Sequence, residues 1–159
     1  MYPEKWVGYF AGVIQPESHQ MGMGAFLLNP KGELVWKTSQ TLGEGTQEWA
    51  TYLALLTIAS EISTHRQVRR VTLQGHFGPV IAQINGEQTL ENQTELEVAK
   101  QIWTIMHNFH FCSVKRISPH ENQDAIQLAK SSFTRVTQQL SIPTSQEVDL
   151  VSTLQLNAK

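Results

Sequence analysis

The alternation of apolar and polar positions changes rhythm along the chain, and each change marks an element. Residues 6–14, WVGYFAGVI, are aromatic and β-branched with internal glycines, the composition of a strand. The polar turn 15–20, QPESHQ, leads to a second strand over 21–29, MGMGAFLLN, where Gly22 and Gly24 mark close backbone approach. Asn29-Pro30-Lys31-Gly32 suits a tight hairpin and opens a third strand over 33–41. Three strands joined by short turns predict an antiparallel meander.

The rhythm becomes helical after Gly43-Glu44-Gly45. Thr46 can cap a helix running to about Ser63. Trp49, Leu53, Leu56 and the small Ser60 fall on one face of it, and Tyr52, Leu55, Ala59 and Ile62 on the adjoining one. So wide an apolar surface implies packing against a sheet. A fourth strand is predicted over 70–75, and a short helix from Pro79 to Gly86. A long helix follows over 92–108, with Leu96, Ala99, Ile102, Trp103 and Met106 as its core stripe. A fifth strand is predicted over 109–117. The last helix, 121–138, carries Ala125, Ala129, Phe133 and Val136 on one stripe. The order β-β-β-α-β-α-α-β-α predicts an α/β fold: a five-stranded mixed sheet, three antiparallel strands first, flanked by helices. One domain is expected over 1–138. The tail over 139–159 contains Pro143 and a mixed run that periodicity does not assign; it is expected either to fray or to dock on a partner.

Composition narrows the chemistry. A chain of 159 residues can bury a sizeable core in one domain. The net charge of -2 argues against strong nonspecific binding to nucleic acid. The single cysteine, Cys112, excludes a disulfide within the chain and a cysteine-rich zinc site, and fits a reducing compartment. The start MYPEKWVGYFAG shows no signal-peptide pattern, and no stretch approaches the ~18 apolar residues of a membrane span. A cytoplasmic location away from membranes is therefore expected. Aspartate changes the picture most. Only Asp124 and Asp149 occur, against 12 glutamates and 16 glutamines. A site of several aspartates around magnesium cannot be assembled from two, one of them near the C-terminus.

Five short motifs, in order and each on the expected element, carry a resemblance. They are Phe10-Ala11-Gly12, then Gly24-Ala25-Phe26, then TQEWATYLAL from Thr46 to Leu55, then VIAQINGE from Val80 to Glu87, and last Glu121-Asn122 with Ala125 and Leu128-Ala129-Lys130. Together they resemble the type I ribonuclease H family and its reverse-transcriptase-associated relatives over roughly residues 6–133. The resemblance implies a ribonuclease H-like fold and two-metal hydrolysis of the RNA strand of an RNA–DNA hybrid, with four carboxylates holding two divalent ions. Carried across, those positions fall on Ala11, Thr51, His76 and Ile126. None is a carboxylate. Alanine and isoleucine cannot bind a hard cation, threonine offers only a neutral oxygen, and histidine prefers softer ions.

Other carboxylates stand nearby in sequence. Glu48 lies one helical turn before Thr51, displaced by ~4.5 Å along the axis. Glu121 opens the last helix, and Asp124 lies two positions before Ile126, close to the opposite side of that helix. The paired asparagines that the family uses to grip RNA correspond to Gln47 and Glu48, and Phe77 stands where the family has a serine. His76, His120 and Glu121 form a further candidate ligand set for a transition metal, against the plainer reading of polar residues at a sheet edge. Cys112, among apolar strand neighbours, is expected to pack rather than react. Trp49 sits beside the former substrate face, where an aromatic side chain can stack on a base, although core packing is its expected role.

The expected function is that of a catalytically inactive ribonuclease H-like protein acting by binding, without metal or other cofactor. Two partners are open. One is RNA or an RNA–DNA hybrid, held weakly through Gln47, Trp49 and the arginines Arg69 and Arg70. The other is a protein partner or a second copy, docking on apolar surface exposed by Phe77 and the region near Ile126. The alternative is an active nuclease using Mg2+ or Mn2+ on the relocated ligands Glu48, Glu121 and Asp124.

Overall fold

The computed structural model describes residues 4–65 and 67–141; of the tail expected from 139, residues 142–159 lie outside the described residues, as does Arg66. The opening meander forms as the alternation predicts: β1 (Lys5–Ile14), β2 (Gln20–Leu28) and β3 (Leu34–Glu44) pair antiparallel. The hairpin between β2 and β3 is held by Asn29, whose side-chain oxygen accepts from the backbone N–H of Lys31 and Glu33. The chain then crosses through α1 (Gln47–Ile62) to β4 (Arg70–Gly75) and through α2 (Gly78–Ile84) and α3 (Gln93–His107) to β5 (Phe111–Arg116). β4 lies parallel to β1, and β5 parallel to β4. Helix α4 (Gln123–Ser141) ends the described chain. The five-stranded sheet runs β3-β2-β1-β4-β5. Among the described residues no helix is long and apolar enough to cross a membrane.

Helix starts follow local chemistry. Thr46 caps α1 through its hydroxyl, which accepts from the Trp49 N–H at 3.1 Å, and Asn92 caps α3 by accepting from the Glu95 N–H at 3.0 Å. Helix α4 begins at Gln123, two residues later than the pattern predicts. Ser118 to Glu121 form a turn in which the Glu121 carboxylate accepts from the Ser118 hydroxyl and N–H.

The sheet carries helices on both faces. Trp6, Phe10, Val71, Leu73 and Val114 point to one side, where α1, α2 and α3 complete the main core. Ala11 and Val13 point to the other side, under Ala125, Ile126 and Ala129 of α4. The face of α1 bearing Leu53, Leu56 and Ser60 is not sealed. With Trp36 and Leu42 of β3 it lines a groove of about 650 Å³. Helix α3 largely keeps its predicted stripe: Ala99 and Ile102 are buried and Trp103 and Met106 pack half-buried against the main core, while Glu95 and Val98 are buried as well and Leu96 is half-buried.

Two glycines set how close the helices come. A Cβ on Gly12 would run into the backbone of Ala50 and Thr51 on α1. A Cβ on Gly24 would stand 2.6 Å from the Ala125 carbonyl oxygen and 2.7 Å from Leu128 Cβ on α4. Gly24→Ala is therefore expected to cost roughly 1–3 kcal/mol of stability. Urea unfolding should show a lower midpoint with an unchanged slope.

Candidate functional site

The four positions assigned by resemblance do meet, around Phe10-Ala11-Gly12 in the middle of β1. Ala11 is 1% exposed and Ile126 7%, and the two belong to one apolar cluster between β1 and α4. Thr51 stands on the other side of the strand, where the α1 backbone presses on Gly12. Its hydroxyl donates to the Gln47 carbonyl one turn earlier, at 2.7 Å. The Gln47 side chain donates in turn to the Gly12 carbonyl at 3.2 Å. His76 follows the C-terminal end of β4, and Asn122 ties it to β1. The Asn122 amide nitrogen lies 2.8 Å from His76 Nδ1 and donates to the Phe10 carbonyl at 2.9 Å. Both amide protons are thereby used, and His76 carries its own proton on Nε2. Burial holds the His76 pKa below its ordinary value, so the ring is neutral at pH 7. Asn122 is 1% exposed, and its side-chain oxygen is buried without a hydrogen-bond partner.

This donor set does not fit a hard divalent cation. It offers a hydroxyl already donating to backbone, an imidazole whose Nδ1 is engaged, two hydrocarbon side chains and no carboxylate. The relocated ligands are not brought together. Glu48 acts electrostatically on Tyr52 and Glu95, at the junction of α1 and α3. Glu121 closes the turn before α4, and Asp124 is exposed in the first turn of that helix. Among the described residues no three His, Cys, Asp or Glu side chains are grouped so as to hold a metal ion, which also leaves His76, His120 and Glu121 unassembled.

One expectation about surface is corrected. Ile126 does not expose apolar surface. With no carboxylate nearby to hold it at the surface, the isoleucine is buried in the apolar cluster with Ala11, Val13, Ala125 and Ala129. Phe77 is half-buried against the main core. The nucleic-acid candidates also do not share one surface. Gln47 and the half-buried Trp49 lie at the end of the sheet where β1 reaches Gly12. Arg69 and Arg70 lie where β4 begins, ~17 Å from its His76 end at the rise of an extended strand. There Arg70 stacks over Phe111, its guanidinium carbon 5.3 Å from the ring centroid. Cys112 is half-buried, and burial pushes its thiol up to about 11, which leaves little thiolate at pH 7.

The motif-based residues omit two side chains that matter. Asn122 appears among the resemblance motifs without a role, yet it joins β1, β4 and α4. Glu95 is a buried acid, 6% exposed, whose pKa is raised by burial and by Glu48. Beside it the buried Tyr52 hydroxyl donates to Gln83 Oε1 at 2.6 Å. Only the Asn92-x-x-Glu95 capping spacing hinted that Glu95 sits at a helix start.

Residues 9–132 match the family model described as reverse transcriptase-like.

The chain belongs to the reverse transcriptase-like family.

Solved ribonuclease H structures share the fold of this reverse transcriptase-like chain. It is similar to RNase H1 from the halophilic archaeon Halobacterium salinarum NRC-1, with 19% identity, TM-score 0.76, and coverage of 82% of this chain and 98% of that one. The N-terminal RNase H domain of a Mycobacterium tuberculosis protein gives 17% identity and TM-score 0.77 over 86% and 98% of the two chains. LC11-RNase H1, solved in complex with an RNA/DNA hybrid, gives 18% identity and TM-score 0.75 over 83% and 99%. No curated protein matches the chain.

Two outcomes follow from the buried polar groups. Asn122→Ala removes the donor to the Phe10 carbonyl and is expected to cost about 1–3 kcal/mol, read by urea unfolding at pH 7. Glu95 has a raised pKa in the folded state, so the fold holds its proton longer than the unfolded chain does. Its contribution is fully present below the unfolded pKa and is lost as pH rises through the folded one. Glu95→Gln is expected to abolish that loss and to raise stability at pH 7 by on the order of 1 kcal/mol. Thermal melts of both proteins between acid and neutral pH check this.

Proposed function

We propose that this chain is a ribonuclease H-like domain that does not cleave nucleic acid and works by binding. One observation carries the reading: Ala11 and Ile126 are both buried in one apolar cluster between β1 and α4, at two of the positions where the family resemblance expects metal carboxylates. The other two positions add support, since the Thr51 hydroxyl and His76 Nδ1 are engaged by the fold itself. Cleavage through two ions needs anionic ligands to offset ion dehydration, and among the described residues no group of three potential ligands converges.

Nucleic acid is the proposed partner class. LC11-RNase H1 and a foamy viral protease–reverse transcriptase were each solved with an RNA/DNA hybrid, and both share this fold. The competing protein-docking reading rested on apolar surface at Phe77 and Ile126; Ile126 is buried, and Phe77 is half-buried against the main core. A reducing, cytoplasmic setting belongs to the same proposal, supported by a lone cysteine that is packed rather than bridged.

The test is direct. Purified protein incubated with end-labelled RNA–DNA hybrid and Mg2+ or Mn2+ is expected to leave the RNA strand intact. Cleavage that vanishes in Glu48→Gln or Asp124→Asn would establish an active nuclease with relocated ligands and overturn the reading.

A further inference from the structure

The two faces of the sheet are covered unequally. Helices α1, α2 and α3 share one face, while α4 alone crosses the other, over β1, β2 and β3. Along β1 the effect is visible residue by residue: Ala11 and Val13 are buried beneath α4, whereas Val7 and Tyr9, pointing the same way, are half-exposed. The β4–β5 half of this face has no described helix upon it.

The side chains there form rows across the strands. Lys37, Phe26, Tyr9, Gln74 and Lys115 stand in register on β3, β2, β1, β4 and β5. The Phe26 and Tyr9 rings stack at 4.7 Å between centroids. Nearer the start of the parallel strands, Lys5, Arg70 and Phe111 form another row, with Phe111 44% exposed and Arg70 laid over its ring. Thr72 and Ser113 lie between the rows, and their hydroxyls are 3.4 Å apart. No strand position on this open part of the face is Asp or Glu, although the whole chain carries a net charge of -2. Four cations and three aromatic rings therefore share this face, with the half-buried Ser113 between them.

We propose that this open face, from Lys37 across to Lys115 and down to Phe111, binds single-stranded nucleic acid. Charge complementarity selects a polyanion. The rings select one with flat faces to stack, and a duplex keeps its base faces hidden. Tyr9 and Phe111 stand ~16 Å apart by strand geometry, so a strand crossing the face meets rings at both ends of its path. The surface is distinct from the cluster of Ala11 and Ile126, which lies between β1 and α4. The inference deepens the proposed binding function and rests on it only in taking binding as the output.

The experiment is fluorescence anisotropy of the full chain with a labelled oligouridylate of about ten nucleotides, at roughly 50 and 200 mM salt. Binding that weakens with salt is expected, and a hybrid duplex of equal length should bind more weakly. Lys37→Gln with Lys115→Gln, both at exposed positions, should lower affinity about tenfold and flatten the salt dependence. Phe111→Ala should weaken binding several-fold with the salt slope unchanged, the signature of lost stacking. Circular dichroism confirms that each variant is folded. No binding at the lower salt, or binding indifferent to the lysine pair, overturns the inference. So does competition by heparin together with indifference to Phe111→Ala, which marks a generic polyanion surface. Running the bound samples with Mg2+ on a denaturing gel separates the two proposals. Hybrid cleavage defeats the non-cleaving reading alone, and loss of single-strand binding without cleavage defeats this one alone.

Discussion

Much of this fold depends on how closely two helices approach β1 from opposite sides. Gly12 lets the α1 backbone touch the strand, and Gly24, paired with Ala11 on the neighbouring strand, lets α4 do the same. Between these contacts little room remains at Ala11. Small residues at Ala50, Ala125 and Ala129 keep the layers tight, and Asn122 pins the start of α4 to the Phe10 carbonyl. The loop after β4 is drawn in through His76 by the same amide. A site placed here is a site in the packed interior, and its chemistry is decided by which atoms remain free after packing.

That view explains how the fold tolerates a centre without carboxylates. Removing charges from a buried cluster leaves holes or orphaned donors unless each partner finds another use. Here Ile126 fills volume, Thr51 turns back onto its own helix, and His76 is kept neutral by burial. One loose end remains, the unpartnered Asn122 oxygen. It is the cost of spending both amide protons on a carbonyl and a ring nitrogen.

Element order was legible from residue patterns because strands and helices differ in hydrophobic period, and because Thr46, Gly86 and the Asn29 turn act locally. The meander needed only short turns, and the crossovers needed only their length. Less local features were not legible. On α3 the burial of Glu95 and Val98 beside the predicted stripe, and the bond that Trp103 donates to the Ile84 carbonyl, are set by neighbouring elements, which no periodicity encodes. A glutamate at position 95 looks like a solvated helix residue until Tyr52 and Gln83 are placed beside it. Arg69 and Arg70 looked close to the site in sequence, yet the length of β4 carries His76 to the far end of the sheet. The half-covered face needed the strand register, since its residues come from five separated segments.

The shared burial of Ala11 and Ile126 in one apolar cluster also has a meaning for descent. A carboxylate introduced at either position alone would stand buried against hydrocarbon, at a penalty of several kcal/mol. A domain of this size commonly has only about 5–15 kcal/mol in total. A lineage drifting one codon at a time would therefore descend into poorly folded intermediates before any pair of charges could share an ion. The packing works as a ratchet, and it makes a centre without carboxylates easy to keep.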